Sequence, residues 1–262
     1  MKEEIFDIPY RAKLCYLKNK GVILPEKVPY LGMGSSYYAA LLGKFLGVNV
    51  FPELSVDYYH YHPGGIDTAM GVLVSQSGQS TDTLQCSGCF DSFVAIVNDP
   101  LSPLAIHPKC LNAILLHAGK EQLIAAKTYI NTLLVLYMGF GLNPGPVISL
   151  MNERMGFYEE EGTRLGQVIL KRIRNRRKRG IIFLGNGPNE GTAMHSALVL
   201  SEVTRYPAGA FSASQYDHGP KEAAENSLAV AFNPKGKEYQ RTRSLLNKIR
   251  LAGGEVFELS NP

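Results

Sequence analysis

The chain has no tryptophan and only four cysteines, Cys15, Cys86, Cys89 and Cys110, in 262 residues. A chain of this length can bury a core that needs no metal or disulfide staple. Cys86-Ser87-Gly88-Cys89 has the spacing of a redox or zinc pair, but no second CxxC accompanies it and it falls within a stretch read as helix. Buried or spectator thiols are therefore expected. Long hydrophobic runs are missing too. No stretch is apolar enough to cross a membrane, and no apolar signal segment follows Met1-Lys2-Glu3-Glu4, so a cytoplasmic protein without a membrane partner is expected. Charge of one sign is scarce: the net charge is +4, and the excess gathers in Lys171, Arg172, Arg174, Arg176, Arg177, Lys178 and Arg179. Without an accompanying nucleic-acid-binding motif, that run reads as a solvated helix end ahead of Ile181-Ile182-Phe183-Leu184, and no nucleic-acid partner is expected.

What the chain does have is a repeated pattern. Pro29-Tyr30-Leu31-Gly32-Met33-Gly34-Ser35-Ser36 and Ile182-Phe183-Leu184-Gly185-Asn186-Gly187-Pro188 each read as a short buried strand, a glycine turn and a helix. The shared Leu-Gly-x-Gly implies an internal duplication. Between the copies, apolar runs at 71–76, 93–97 and 113–116 alternate with helical stretches at 81–90 and 123–140. After the second copy, strands are expected at 181–184, 228–232 and 255–259, a further extended piece at 208–211, and a helix at 237–251. Strands that are apolar on both faces and alternate with helices indicate parallel sheets flanked by helices, an α/β fold. The expected organisation is a first domain at 1–150, a helical connector at 151–179, and a shorter second domain at 180–262.

The chemistry centres on Ser75-Gln76-Ser77-Gly78-Gln79-Ser80-Thr81, which follows a strand and opens a helix. First-turn amides without intrahelical partners, serine hydroxyls and a glycine that lets the backbone approach make an anion cradle. A Ser-rich helix cap without a ligand accounts for the same residues equally well. The loop lacks the lysine of a P-loop, and Gly32-Met33-Gly34 lacks the third glycine of a dinucleotide fingerprint, so neither a nucleoside triphosphate nor another cofactor is expected. His60-Tyr61-His62 would set two imidazoles on one face of a strand, but no third ligand is evident and no metal is expected.

The ordered set of motifs resembles the sugar isomerase (SIS) domain family. Ser75 to Thr83 is similar to its phosphosugar loop, in the variant found in the isomerase half of glutamine–fructose-6-phosphate aminotransferase and in related sugar-phosphate deaminases and deglycases. Gly32-Met33-Gly34-Ser35-Ser36-Tyr37 is similar to the family's first glycine turn. His117-Ala118-Gly119-Lys120-Glu121 with Ala125-Ala126-Lys127-Thr128 is similar to the segment after its fifth strand, one residue short, so Lys127 and Thr128 receive no role. Leu184-Gly185-Asn186-Gly187, Ala197 to Glu202 and His218-Gly219-Pro220 are similar to its second domain.

The resemblance implies two tandem flavodoxin-like domains, the second shortened, in a homodimer with shared sites. It implies that Ser35 and Ser36 line a sugar site, and that Ser75, Gln76, Ser77 and Ser80 hold the phosphate or its neighbouring hydroxyls. It implies that Glu202 moves a proton between C1 and C2 of a hexose 6-phosphate or amino-hexose 6-phosphate, and that His218, from the other subunit, helps open the ring. Both residue types suit those tasks: a carboxylate raised by an apolar pocket can shuttle a carbon-bound proton, and histidine trades protons near neutrality. Read without the resemblance, Glu202 is a solvated helix residue and His218 a loop histidine with a local hydrogen bond.

Three departures shape the expectation. No glutaminase segment and no cysteine after the initiator precede the chain, so it is not expected to make ammonia from glutamine. Val199 stands where the glutamine-dependent enzymes carry a lysine. The family's last strand and its lysine-bearing tail have no counterpart before Pro262. The expected activity is that of an isomerase or deaminase, with a non-catalytic phosphosugar-binding protein as the alternative.

Overall fold

The computed structural model describes residues 2–62, 69–175 and 180–260. The chain divides into two compact units, Met1–Glu153 and Arg154–Pro262.

The first unit opens with helices α1 (Lys2–Phe6) and α2 (Ile8–Lys18). It continues through β1 (Pro29–Gly32), α3 (Ser35–Ala40), β2 (Phe51–Leu54), α4 (Ser55–Tyr61), β3 (Met70–Val74) and α5 (Thr81–Gln85). β4 (Ser92–Val97), β5 (Cys110–Leu115), α6 (Lys127–Gly139) and α7 (Gly145–Glu153) complete it. Its five strands are all parallel, in the order β2-β1-β3-β4-β5. Alternation fills both faces. Val72, Val74, Val94 and Ile96 pack with Ala40, Val135 and Leu136 on the face carrying α3 and α6. Leu31, Leu73, Phe93, Ala95 and Val97 pack with Tyr58, Cys86 and Phe90 on the other. This two-residue period, apolar in both phases, is what a sheet sandwiched between helices requires.

The second unit comprises α8 (Met155–Arg174), β6 (Ile181–Gly185), α9 (Pro188–Thr204), β7 (Ala208–Ser212), α10 (Ala213–Tyr216), β8 (Leu228–Phe232), α11 (Tyr239–Leu251) and β9 (Glu255–Leu259). Among the described residues its sheet is β7-β6-β8-β9, again parallel. It repeats the first four positions of the first sheet. The duplication extends to backbone detail. Gly34 has φ 50° and ψ −126°, Gly187 has φ 56° and ψ −129°, and each directly precedes its helix. Side chains rarely tolerate this region, so glycine is required twice.

Several expectations need correction. His60-Tyr61-His62 does not lie on a strand: Tyr61 ends α4, and Tyr58 stacks on Phe90 at 5.5 Å to hold that helix on the sheet. β2 was not anticipated. It is a four-residue edge strand carrying Pro52, which the edge tolerates because one side of its backbone needs no ladder partner. The helix expected at 81–90 ends as α-helix at Gln85 and tightens into a 3-10 turn over Cys86–Cys89. The helix expected from Leu123 begins only at Lys127. The basic run is not wholly solvated. Arg172 is buried; its guanidinium donates to Asn226 O (2.5 Å) and Ser227 O (3.0 Å) and pairs with Glu255 at 2.9 Å. Arg176 to Arg179 lie outside the described residues. Within 151–179, α8 buries Ile169 in the core of the second unit, with Leu165, Val168 and Ile173 packed beside it.

Candidate functional site

In the first sheet the chain runs outward from β1 to β2, then returns past β1 to β3. The crevice beyond the carboxyl ends of β1 and β3 is therefore the topological switch point, where doubly wound sheets bind ligands. Gly32 is in register with Val74, so Ser35 and Ser36, opening α3, and the loop starting at Ser75 leave neighbouring strands at the same edge. These two groups of sequence-predicted residues share one crevice. Ser35 and Ser36 are half-buried. A Cβ on Gly32 would lie 3.0 Å from Ser36 Cβ, so a glycine there lets α3 start close over the strand end.

The loop is braced from one side. Ser75 N donates to Ile96 O (3.0 Å), Asn98 N to Gln76 O (2.9 Å) and Leu104 N to Gly78 O (3.2 Å), all from the β4 side. Within the loop, Gly78 N donates to Ser75 O and Gln79 N to Ser77 Oγ. Gly78 has φ 62°, and a methyl there would lie 2.5 Å from Ser102 Cβ. Ser75 is buried, Gln76 and Ser80 half-buried and Ser77 exposed. Ser80 precedes α5 without a side-chain cap bond. The first-turn amides and the hydroxyls of Ser77 and Ser80 can thus serve an anion on the β1 side.

The segment after β5 completes this edge. Asn98 joins it to the end of β4, its Oδ1 accepting from Ala118 N (2.9 Å) and its Nδ2 donating to Gly119 O (2.8 Å). Glu121 is the residue that sequence reasoning left without a role. Its carboxylate accepts from Ala126 N (2.8 Å), Lys127 N (2.5 Å) and Thr128 N (3.3 Å), and from Thr128 Oγ1. That cap is why α6 starts at Lys127. The available signal was a glutamate a few residues ahead of a helix without a capping Ser, Thr or Asp of its own.

In the second unit the corresponding crevice, at the ends of β6 and β8, is bridged by the protein itself. Asn186 Oδ1 accepts from Ser214 N (3.0 Å) and Ser212 Oγ (3.3 Å), while Nδ2 donates to Thr242 Oγ1 (3.3 Å). Glu202 lies in the last turn of α9, exposed, and burial raises its carboxyl above the ordinary range. The partial burial of an exposed side chain makes this a modest effect. Ser201 Oγ accepts from Ala208 N at 3.2 Å, which fixes that turn at the start of β7. His218 lies beyond the other end of β7, after α10, and is exposed; its amide donates to Gln215 O. β7 spans five residues, roughly 15 Å long at about 3.3 Å per residue, and the segments carrying Glu202 and His218 flank its opposite ends. Within one chain, Glu202 and His218 are not brought together.

Cys86 is buried and donates to Ser55 O at 3.2 Å, with its thiol pushed up to about 12 chiefly by burial; Cys89 is exposed. Among the described residues no His, Cys, Asp and Glu cluster of metal-binding size occurs. Among the described residues no helix is long and apolar enough to cross a membrane.

The arrangement is that of an open parallel α/β sheet with a ligand crevice at its switch point, and comparison with known proteins places this fold among phosphosugar isomerases and deaminases. No family model matches the chain. Glutamine–fructose-6-phosphate aminotransferase (isomerizing) of Thermococcus kodakarensis is 27% identical over 293 aligned positions, covering 100% of this chain and 48% of the relative. The enzyme of the same name from Methanothermobacter thermautotrophicus is also 27% identical, over 88% of this chain and 41% of its own length. The chain thus spans about half the length of these curated relatives. Among solved structures, the C-terminal domain of glucosamine–fructose-6-phosphate aminotransferase from Francisella tularensis superposes with a TM-score of 0.79 at 23% identity, covering 99% of this chain and 83% of that one. Glucosamine-6-phosphate deaminase from Thermotoga maritima gives 0.78 at 20% identity, over 98% and 83%. The resemblance to sugar isomerase domains read from the sequence therefore holds: the homologues are aminotransferases of this kind, and phosphosugar isomerases and deaminases share the fold.

Proposed function

We propose that this chain binds a hexose 6-phosphate or amino-hexose 6-phosphate at the β1/β3 switch point and moves a proton between C1 and C2, with or without release of ammonia. This reading treats the two units as tandem flavodoxin-like sugar isomerase domains. The observation that carries it is the loop Ser75–Ser80, braced on its β4 side and leaving its hydroxyls and first-turn amides for a ligand beside Ser35 and Ser36. The phosphate sits in that loop, with Gln76 on a neighbouring hydroxyl.

Ring opening needs a proton donor and acceptor near neutrality, the role given to His218. Glu202 then takes the proton from one carbon and returns it to the next; a carboxyl raised by burial is better matched to that exchange than an ordinary one. The two residues flank opposite ends of β7, which supports the reading that they reach a sugar from different chains. The site is accordingly shared in a homodimer, with His218 supplied by the second copy.

The test is turnover of glucosamine 6-phosphate, and of fructose 6-phosphate with ammonia, by wild type, Glu202→Gln and His218→Ala. Each variant alone is inactive. Mixed and reassociated in equal amounts, half the dimers regain one intact site, restoring about a quarter of wild-type activity. Full turnover by Glu202→Gln removes that residue from the mechanism, and failure to complement removes the shared site.

A second reading, a binding module without turnover, is favoured by the exposure of Glu202 in the single chain and by Val199 at the family's lysine position. It requires ligand-dependent thermal stabilisation without product.

A further inference from the structure

Two helices begin at the ligand edge of the first sheet on opposite faces, and their N-termini are treated differently. α5 opens with Ser80, whose side chain makes no cap bond. α6, thirteen residues long, has its first amides and the Thr128 hydroxyl taken up by one carboxylate, Glu121. α6 packs against α3, which opens with Ser35 and Ser36. Left uncapped, α6 would present the stronger anion site at this edge: it is the longer helix, and its first residue is a lysine. That lysine is turned away, because Lys127 is buried with its ammonium on Asp7 Oδ2 (3.3 Å) and Lys120 O (3.0 Å).

We propose that Glu121 is a built-in anion that closes the α6 N-terminus to phosphate, and so fixes which end of a sugar phosphate faces which side of the crevice. The inference rests on the reading of the crevice as a phosphosugar site. Glu121 is a positioning residue: it saturates the competing donors and holds a negative charge beside them, leaving the α5 loop as the receptor for a dianion. It also braces the segment after β5, together with Asn98 and with Glu4, whose carboxylate accepts from Gln122 N at 3.0 Å. Glu121 is only half-buried, so the donors it occupies are within reach of solvent once it is removed.

The test counts inorganic phosphate bound per chain, by calorimetry on the full chain, for wild type, Glu121→Ala, Glu121→Gln and Ser77→Ala/Ser80→Ala. Wild type binds a single phosphate, displaced by fructose 6-phosphate. Glu121→Ala gains a second, which remains when Ser77→Ala and Ser80→Ala are added to Glu121→Ala. Glu121→Gln keeps one acceptor oxygen without the charge; it folds as wild type, and its kcat and KM for the sugar phosphate fall together by at least several-fold, because a second, non-productive orientation competes with the productive one in the same crevice. Unchanged phosphate stoichiometry in Glu121→Ala, or in Glu121→Gln where the alanine variant does not fold, together with an unchanged KM, overturns the proposal. A wild type that binds no phosphate defeats the crevice reading instead; in that case a phosphate gained on removing Glu121 still identifies the plug.

Discussion

Replacing Gly78 by alanine separates two contributions to the loop that the structure makes distinct. The first is backbone: φ is 62°, a left-handed conformation that costs a residue with a Cβ about 1–2 kcal/mol. The second is steric. The added methyl would meet Ser102, with the side-chain oxygen closer still than the 2.5 Å to its Cβ. Ser102 is itself buried and fixed, its hydroxyl donating to Asp99 O at 2.8 Å, so it cannot simply swing aside. Overpacking of this kind adds about 1–3 kcal/mol. Gly78→Ala should therefore lose roughly 2–5 kcal/mol in urea unfolding, and its affinity for fructose 6-phosphate should fall beyond detection as the loop amides move. Ser102→Gly in the same chain removes the colliding atoms. The double variant should regain the steric part and retain the backbone part, leaving a deficit of about 1–2 kcal/mol beyond that of Ser102→Gly alone. Unfolding by circular dichroism and binding by calorimetry read both quantities. If Gly78→Ala unfolds and binds like wild type, or if Ser102→Gly rescues nothing, the account of the loop is wrong.

Arg172→Met should destabilise the second unit by about 2–4 kcal/mol, because two backbone carbonyls lose a buried donor. Glu255→Gln should cost less than about 1 kcal/mol, since Glu255 is half exposed, and urea midpoints check both. Thiol labelling near pH 8 should modify Cys89 first, while Cys86 and Cys15, each pushed up to about 12 chiefly by burial, hold only about one thiolate in ten thousand and react when the chain unfolds. Burial pushes Asp7 upward, but hydrogen bonds from Arg11 and Lys127 and their charges outweigh it, so its folded value lies below 3.8. Its contribution is fully present above that unfolded value and is lost as pH falls through the lower folded one. Asp7→Asn should flatten that acid limb of stability, and unfolding curves of the two proteins between pH 6 and pH 2.5 would expose any failure to do so.

Much of this architecture was legible because a parallel sheet writes itself as short, β-branched, two-faced apolar runs. β3, β4, β6, β8 and β9 all lie within or beside such runs. β2 was hidden because an edge strand needs only one good ladder, and Phe-Pro-Glu-Leu supplies no run to notice. The tyrosine and histidine pattern of α4 imitates a strand, while the stacking of Tyr58 on Phe90 that holds the helix on the sheet is a contact distant in sequence. At the candidate site, the loop at 75–80 was legible as strand, small polar residues and helix. Its bracing by Asn98 and Leu104 was not, because those partners arrive from the next strand. The roles of Glu121 and the separation of Glu202 from His218 were equally out of reach. One depends on where a helix chooses to begin, the other on which end of a strand each flanking helix meets.

The bond set of Asn186 has a bearing on how such a molecule diversifies. Duplication hands a lineage two identical crevices, yet a single receptor suffices. A short amide side chain that reaches both flanks of its own crevice ties the second copy together from within, and the residues it bonds are then held to packing. The two halves can drift under unlike rules while the scaffold beneath them stays the same.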